Sequence, residues 1–526
     1  MAKSETGLGA ADLEKAAAHG LSGDEVTRQL GILTNPPPSI ELDRPCTIDD
    51  GIARIADDQI PGLLEAQAGA AAGGRATYFV PASGAATRMF KSLLATRARG
   101  SENRATLAAT GDGDATTAVR FFDGLRRFAF SGELGAALDA RGASLDDCIE
   151  RGAVAPVLDA LLDPTGLAYA DTPKGLLLFH RYPDTSRTAF EDHLVESFAL
   201  AADAEGTTRL HFTVSAAHEE AFAKRLAAAR TALEARLGAR FAVSFSTQKS
   251  STDTIALDLD GKPFRDKAGV LLFRPGGHGS LIANLADLAT AGADLVYVKN
   301  IDNVVHEDWR APVVQWRRLL AGRLVLLQER LFAALRALDE NAHDADAVAA
   351  GAAVLRDELG VHVPVPGDAV PTPEAVRRLL DRPVRVCAVL RAKGDPGGGP
   401  FWVRASDGSL SPQIVETAQI DQASGMQRDV QSRATHFSPA DMVLGVRDHR
   451  GEPFDLPFHV DPGAVFIAEK SSAGRALRAL EHPGLWNGGM AQWNTLFVEV
   501  PPATFHPVKA LTDLLDPAHQ PSRESE

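Results

Sequence analysis

The clearest pattern in the chain runs from 207 to 300, where short apolar runs alternate with amphipathic stretches. Residues 209–215 (RLHFTVS), 241–246 (FAVSFS) and 295–300 (LVYVKN) are rich in β-branched and aromatic side chains and predict strands. Between them, 216–237 and 281–290 carry apolar residues at helical spacing, and 255–263 reads as a hairpin. One more strand-to-helix switch lies upstream at 76–91 (ATYFVPASGAATRMFK), where an apolar strand pattern gives way to small residues and then to a helix from Thr87. Strands alternating with helices predict an α/β fold with a mostly parallel, helix-covered sheet. In such sheets ligands bind beyond the carboxyl ends of the strands.

Outside this core the pattern is helical before and β-rich after. Residues 1–70 read as an N-terminal helical extension. Ser22 is placed to cap one helix there, and Thr47 with Asp50 has capping-box spacing for a second. The α/β core covers 71–310, interrupted by a helical insertion at about 92–168 in which phenylalanines recur one helical turn apart. Residues 311–382 form a helical segment with a leucine stripe through Leu319, Leu320, Leu324, Leu327 and Leu331. Residues 383–520 are strand-rich and include the rigid turn segment 394–402, and 521–526 reads as a disordered tail.

Composition narrows the partners. At 526 residues the chain is long enough for roughly three domains of about 150 residues. A net charge of −15 argues against a nucleic-acid groove or an anionic membrane surface, so any phosphate must meet a local basic cluster. No apolar run reaches the length of a membrane span. Cys46, Cys148 and Cys387 are too sparse for a disulfide framework or a zinc site, which fits a cytoplasmic protein.

The residues with chemistry follow the predicted strands. Ala82, Ser83, Gly84 and Thr87 form a small-residue turn that lets backbone N–H groups approach a phosphate, and Arg88 adds a fixed positive charge. Lys174 stands between Pro173 and Gly175 on a stiff turn, with His180, Arg181 and Arg187 close behind it. Gln248 ends one strand, Gly277-His278-Gly279 form a glycine-rich loop, Asp302 follows another strand, and Lys509 lies near the C-terminus. Two or three cations offset phosphate charge, and a carboxylate after a strand can hold Mg²⁺ together with substrate phosphates.

This order of short motifs resembles the nucleotide-sugar pyrophosphorylases, especially the large uridylyltransferases. There a small-residue loop ends in Thr-Arg, like Thr87-Arg88, and a Pro-Lys-Gly follows, like Pro173-Lys174-Gly175. A glutamine after a strand meets the base, as Gln248 would, and a Pro-x-Gly-His-Gly loop matches residues 275–279. Asn-x-Asp-Asn carries the metal-binding aspartate, like Asn300 to Asn303, and Phe-x-Pro-x-Lys carries a phosphate-binding lysine, like Phe505 to Lys509. More closely still, segments such as PASGAATRMFK, STQK, NIDN and FHPVKAL resemble a bacterial family known only as a domain of unknown function. The chain departs from the pyrophosphorylases where Ser83 and Ala86 stand in place of glycines, and where the long insertion separates Arg88 from Lys174. An alanine held at positive φ costs about 1 kcal/mol or more, so a different loop path is expected.

The resemblance implies a nucleotidyltransferase (Rossmann-like, GT-A-like) sheet and Mg²⁺-dependent transfer between a nucleoside triphosphate, UTP favoured, and a sugar-1-phosphate or similar acceptor. In that reading Arg88, Lys174 and Lys509 are catalytic and Asp302 binds metal. Ala82, Ser83, Gly84, Thr87, Gln248, Gly277, His278 and Gly279 hold the nucleotide, and His180, Arg181 and Arg187 the acceptor. The alternatives are a catalytically silent nucleotide-binding or regulatory protein, and a glycosyltransferase on the same sheet type.

Overall fold

The computed structural model describes residues 7–84, 86–100, 103–365, 370–392 and 398–522. Of the turn segment 394–402 and the tail 521–526, the parts 394–397 and 523–526 lie outside the described residues, as does Ala85.

A ten-stranded sheet organises the chain. Its strands, numbered along the chain, are β1 (Thr47–Ile48), β2 (Gly51–Ala53), β3 (Ala76–Pro81), β4 (Thr207–Val214), β5 (Arg240–Thr247), β6 (Leu295–Lys299), β7 (Val384–Arg391), β8 (His436–Phe437), β9 (Asp441–Gly445) and β10 (Asn494–Glu499). They lie in the order β1-β2-β10-β7-β9-β6-β3-β4-β5, with β8 paired to β7. Along that row β9 alone runs antiparallel to its neighbours. Of the C-terminal β-rich part, β7, β9 and β10 complete this sheet, while strands Gly399–Arg404, Leu410–Val415, Phe466–Ser472 and Arg475–Glu481 belong to two smaller sheets.

The order places a topological switch at β3. The chain leaves β3 towards β4 and β5 on one side, then returns to lay β6 on the other, which opens a crevice at the carboxyl ends of β3 and β6. Both strands are apolar on both faces because both faces are covered. In β6, Leu295 and Tyr297 enter the larger core, while Val296 and Val298 enter a second core with Leu281 and Leu285.

Helices α1 (Ile60–Ala72), α2 (Ala189–Ala201), α3 (Glu219–Leu237), α4 (Leu281–Thr290), α5 (Arg310–Glu340) and α6 (Pro373–Leu380) accompany the sheet. Between β3 and β4 comes a run of short helices from Lys91–Ala98 to Ala155–Leu162. Their phenylalanines Phe121, Phe128 and Phe130 pack ring on ring and join the larger core. Near the N-terminus Ser22 caps the helix Gly23–Thr34 through Glu25 N–H at 3.1 Å. Thr47 and Asp50 cap no helix: they flank a tight turn between β1 and β2 in which Asp49 takes φ 66°. Pairing of Ile52 opposite Phe497 on β10 outweighs a local capping pattern.

A buried ionic network binds the layers. Tyr78 on β3 donates to Glu196 Oε1 on α2 at 2.5 Å, Lys299 at the end of β6 donates to the same oxygen at 2.7 Å, and Arg317 on α5 donates to the Tyr78 oxygen at 2.6 Å. Arg317 Nε also lies 3.4 Å from Asp441 on β9. Burial raises the Glu196 carboxyl, but Lys299 and Arg317 outweigh it and hold the group down at about 2.

Helix α5 also crosses α1 very closely. A Cβ at Gly322 would fall 1.9 Å from the Leu63 carbonyl oxygen, so the crossing requires glycine. Gly322→Ala is expected to lose about 1–3 kcal/mol of stability through overpacking. Urea denaturation measures it, and an unchanged midpoint would show that the two helices separate there at little cost.

Candidate functional site

Four segments that are far apart in the chain meet at the β3–β6 crevice. The loop after β3 begins with Ala82, whose N–H bonds Thr213 O on β4 at 2.8 Å. The loop after β6 is stitched to it by Ile301 N–H to Pro81 O at 3.3 Å. The turn at Lys174 comes in from the end of the helical insertion. Gly175 lets that turn press against the β6 loop, since a Cβ there would sit 3.0 Å from Ile301 Cγ1 and 2.9 Å from Phe222. The C-terminal segment docks through Val508 N–H to Asp302 O at 2.9 Å and His506 N–H to Asn303 Oδ1 at 3.2 Å.

Asp302 is the centre of this meeting. Lys174 Nζ and Lys509 Nζ each stand 3.0 Å from its Oδ2, and Lys174 also donates to Val508 O at 2.8 Å. Burial pushes the Asp302 carboxyl up, but the two ammonium groups outweigh it and hold it below the ordinary carboxylate value. Its other oxygen, Oδ1, is buried and has no hydrogen-bond partner among the described residues. The two lysines differ: the Lys174 side chain is 14% exposed, whereas that of Lys509 is 62% exposed. Lys509 is thus fixed at its tip and otherwise open to solvent.

Arg88 lies on the short helical turn Ala86–Arg88 that ends the small-residue loop. It is exposed and makes no hydrogen bond or ion pair among the described residues. Ser83, Gly84 and Thr87 are exposed as well, and none of Ser83, Gly84 or Ala86 takes a positive φ. The loop therefore follows a path on which serine and alanine cost nothing, and the regular helix begins only at Lys91.

A second group stands at the end of β5. Gln248 is half-buried, and its Nε2 is a buried donor without a partner among the described residues. The glycine-rich loop is tied to the same place, because Asn284 on α4, the helix behind that loop, donates to Thr247 O at 2.9 Å and Ser246 Oγ at 2.8 Å. Gly277 adopts φ +80°, and a Cβ there would lie 2.7 Å from Glu481. A Cβ at Gly279 would lie 2.1 Å from Pro483 O. His278 accepts Leu485 N–H at 3.1 Å on Nδ1 and stacks on Trp486 at 4.3 Å between centroids. Burial lowers its pKa despite Glu416 and Glu481, so the ring is neutral at pH 7.

His180, Arg181 and Arg187 sit elsewhere, in contacts of their own. His180 is fully buried, donating to Asp192 at 2.6 Å from Nδ1 and pairing with His519 at 3.0 Å through Nε2. Arg187 is buried on Asp192 and Glu307 and stacks over Tyr182. Arg181 binds Phe128 O and Ser131. These contacts dock the helical insertion and the C-terminal segment to the core, and they bury His180 and Arg187 away from the surface. Trp486 packs against the second core and also reaches the glycine-rich loop. Nothing in the local pattern of residues 484–494 signals that stacking. Glu499, at the end of β10, is engaged by Arg54, Arg391 and His436.

A family model described as a domain of unknown function (DUF4301) matches residues 9–520. The chain belongs to this family. Every site residue above lies inside the matched span, so both clusters are parts of one DUF4301 domain. No curated protein matches the sequence significantly. Among solved structures, the UDP-N-acetylglucosamine pyrophosphorylase from Trypanosoma brucei is similar at 14% identity and TM-score 0.46, over 96% of this chain and 77% of that one. A variant of the UDP-glucose pyrophosphorylase from Leishmania major is similar at 14% identity and TM-score 0.45, over 97% and 79%. A UDP-glucose phosphorylase from Trypanosoma brucei gives 13% and 0.45, over 97% and 80%.

Because its pKa is depressed on folding, Asp302 contributes stability that is present above the unfolded carboxyl value of about 3.9 and lost as pH falls through the lower folded value. Asp302→Asn should cost about 1–3 kcal/mol at pH 7 by leaving Lys174 poorly paired. The gap from the native chain should close at acid pH in denaturation curves. A gap that stays constant with pH would show that ion pairing is not its source.

Proposed function

We propose that this protein is a nucleotidyltransferase that joins a nucleoside triphosphate, with UTP favoured, to a sugar-1-phosphate or similar phosphorylated acceptor and releases pyrophosphate. The observation that carries the proposal is the pair Lys174 and Lys509 converging on one oxygen of Asp302 at the switch point of the sheet, while its second oxygen is buried and unpartnered. Phosphates bring the charge that two lysines and Arg88 can offset. Asp302 Oδ1 suits Mg²⁺, which takes one or two carboxylates and fills its remaining positions with phosphate oxygens and water. Bound there, Mg²⁺ would offset charge on the phosphate oxygens.

In this reading the ligand lies along the carboxyl edge of the sheet. Gln248 at the end of β5 is separated from Asp302 at the end of β6 by three strand spacings, roughly 14 Å, a span suited to a base at one end and phosphates at the other. The unpartnered Gln248 amide would donate to a base carbonyl. Arg88, free on its turn, would steady the β- and γ-phosphates. An acceptor phosphate oxygen attacks the α-phosphorus, and the bond to the pyrophosphate oxygen breaks. Lys174 and Lys509 neutralise the two approaching phosphates, and no protein-bound intermediate is needed.

The test is pyrophosphate release from UTP, glucose 1-phosphate and Mg²⁺, extended to other triphosphates and sugar phosphates. Arg88→Ala and Lys174→Ala should each lower turnover by roughly 10²–10³ with the fold intact by circular dichroism, the scale of losing one aligned electrostatic group. Near-native turnover in both would remove these roles. A thermal shift with nucleotide but no pyrophosphate from any acceptor would replace transfer with binding alone.

A further inference from the structure

A cavity lies at the opposite ends of the strands from the β3–β6 crevice. It encloses about 730 Å³ and is bounded by Asn494 and Thr495, which open β10, and by Arg378 and Arg382 around the end of α6, just before β7. Asp302, by contrast, follows the carboxyl end of β6.

Arg378 and Arg382 line this cavity with Asp407 as their nearest opposite charge, and neither forms an ion pair among the described residues. Arg382 makes one hydrogen bond, from Nε to Arg378 O at 3.0 Å, and has no ion pair among the described residues. Arg378 has none either. Behind Thr495, Arg385 is fully buried, donating to Thr495 Oγ1 at 2.8 Å and to Trp486 O at 2.6 Å, while among the described residues its Nη2 has no partner and the side chain no ion pair. Trp493 lines the cavity, is 3% exposed, and has a buried indole N–H without an acceptor. The carboxylates in the wall are engaged: Asp407 accepts from Ser409, Asp461 from Gly463 N–H, and Glu41 lies beside Arg404. Burial first, and then Arg378, lower the Arg382 guanidinium to about 10, against a weaker opposing pull from Asp407. The two guanidiniums that line the cavity, Arg378 and Arg382, stand one helical turn apart and form a pair of forked donors suited to a dianionic oxyanion.

We infer that this cavity is a second ligand site, separate from the nucleotide crevice, that binds a phosphorylated metabolite of sugar size through Arg378 and Arg382. The volume is far more than a lone phosphate needs and lies in the range of small-molecule sites. Ser406, Gln413 and Gln492 on its walls suit a hydroxyl-bearing body. Arg385 joins Thr495 on its wall to Trp486, whose ring stacks on His278, so the site is linked through two residues to the glycine-rich loop.

The test is calorimetric titration of the full chain with inorganic phosphate and with glucose 1-phosphate, in the native protein, in Lys174→Ala/Lys509→Ala, and in Arg378→Gln and Arg382→Gln. The expected result is a binding event that survives the double lysine change and weakens roughly tenfold or more in each arginine variant. Glucose 1-phosphate should bind more tightly than phosphate. Arg378 is exposed, so its variant reports even where Arg382→Gln alters folding, and Arg382→Lys should restore part of the affinity. Binding lost in the lysine variant but kept in both arginine variants would overturn the proposal, as would the absence of any phosphate binding that survives loss of the lysines. Either result leaves the pyrophosphate assay to judge the crevice independently.

Discussion

The site depends on one carboxylate oxygen. Asp302 Oδ2 receives lysines that are 128 and 207 positions away, and its backbone carbonyl receives Val508 N–H. The contact is electrostatic at the side chains and is backed by backbone bonds, Val508 N–H to Asp302 O and His506 N–H to Asn303 Oδ1. The α/β core, the turn after the helical insertion and the C-terminal segment are brought to one point by pairing two cations with a single anion. A pair of ammonium groups 3.0 Å from one oxygen leaves an excess of positive charge, and an anionic ligand reduces that excess. Local charge at the crevice is thus opposite to the chain's net charge of −15.

What keeps Asp302 in place is the layer beneath it. Lys299 is three residues upstream and is fully buried on Glu196, within the network that includes Tyr78, Arg317 and Asp441. Such a network adds little net stability compared with apolar packing, yet leaving one member unpaired is costly. Its members come from β3, β6, β9, α2 and α5, so slipping any one element would strand a charge. His193, kept neutral at about 4 chiefly by burial, donates from the neighbouring helical turn to Ile301 O at 3.1 Å. Charge pairing below and hydrogen bonding alongside fix the approach of the β6 loop before any ligand arrives.

Much of this was legible in the sequence, and the reasons divide by range. The strands at 76–80, 209–214, 241–246 and 295–299 were readable because each is an apolar run bounded by turns, and the burial of both faces leaves little ambiguity. Asp302, Lys174 and Lys509 were readable because their motifs occur in order, although nothing local says that the three touch. The segment 47–52 was misread as a helix start because its cap pattern is local while the competing partner, β10, lies more than 440 positions away. His180 and Arg187 read as a free basic cluster because their neutralising groups, Asp192 and Glu307, belong to other elements. Charge in a sequence shows what must be compensated, and only the fold shows by what.

The same reasoning separates the two kinds of cation in this protein. Arg187, Arg310 and Arg317 are buried with carboxylates, and their charge is accounted for within the chain. Arg88 is uncompensated and exposed, which costs little because water solvates it. Arg385 fits neither class: it is withdrawn from water, faces backbone and hydroxyl oxygens, and lacks an anion. Hydrogen bonds to neutral acceptors recover only part of the desolvation cost of a guanidinium. An arrangement of that kind is retained at a net expense in stability, and what it secures is the join between the start of β10 at Thr495 and the carbonyl of Trp486 beside the glycine-rich loop.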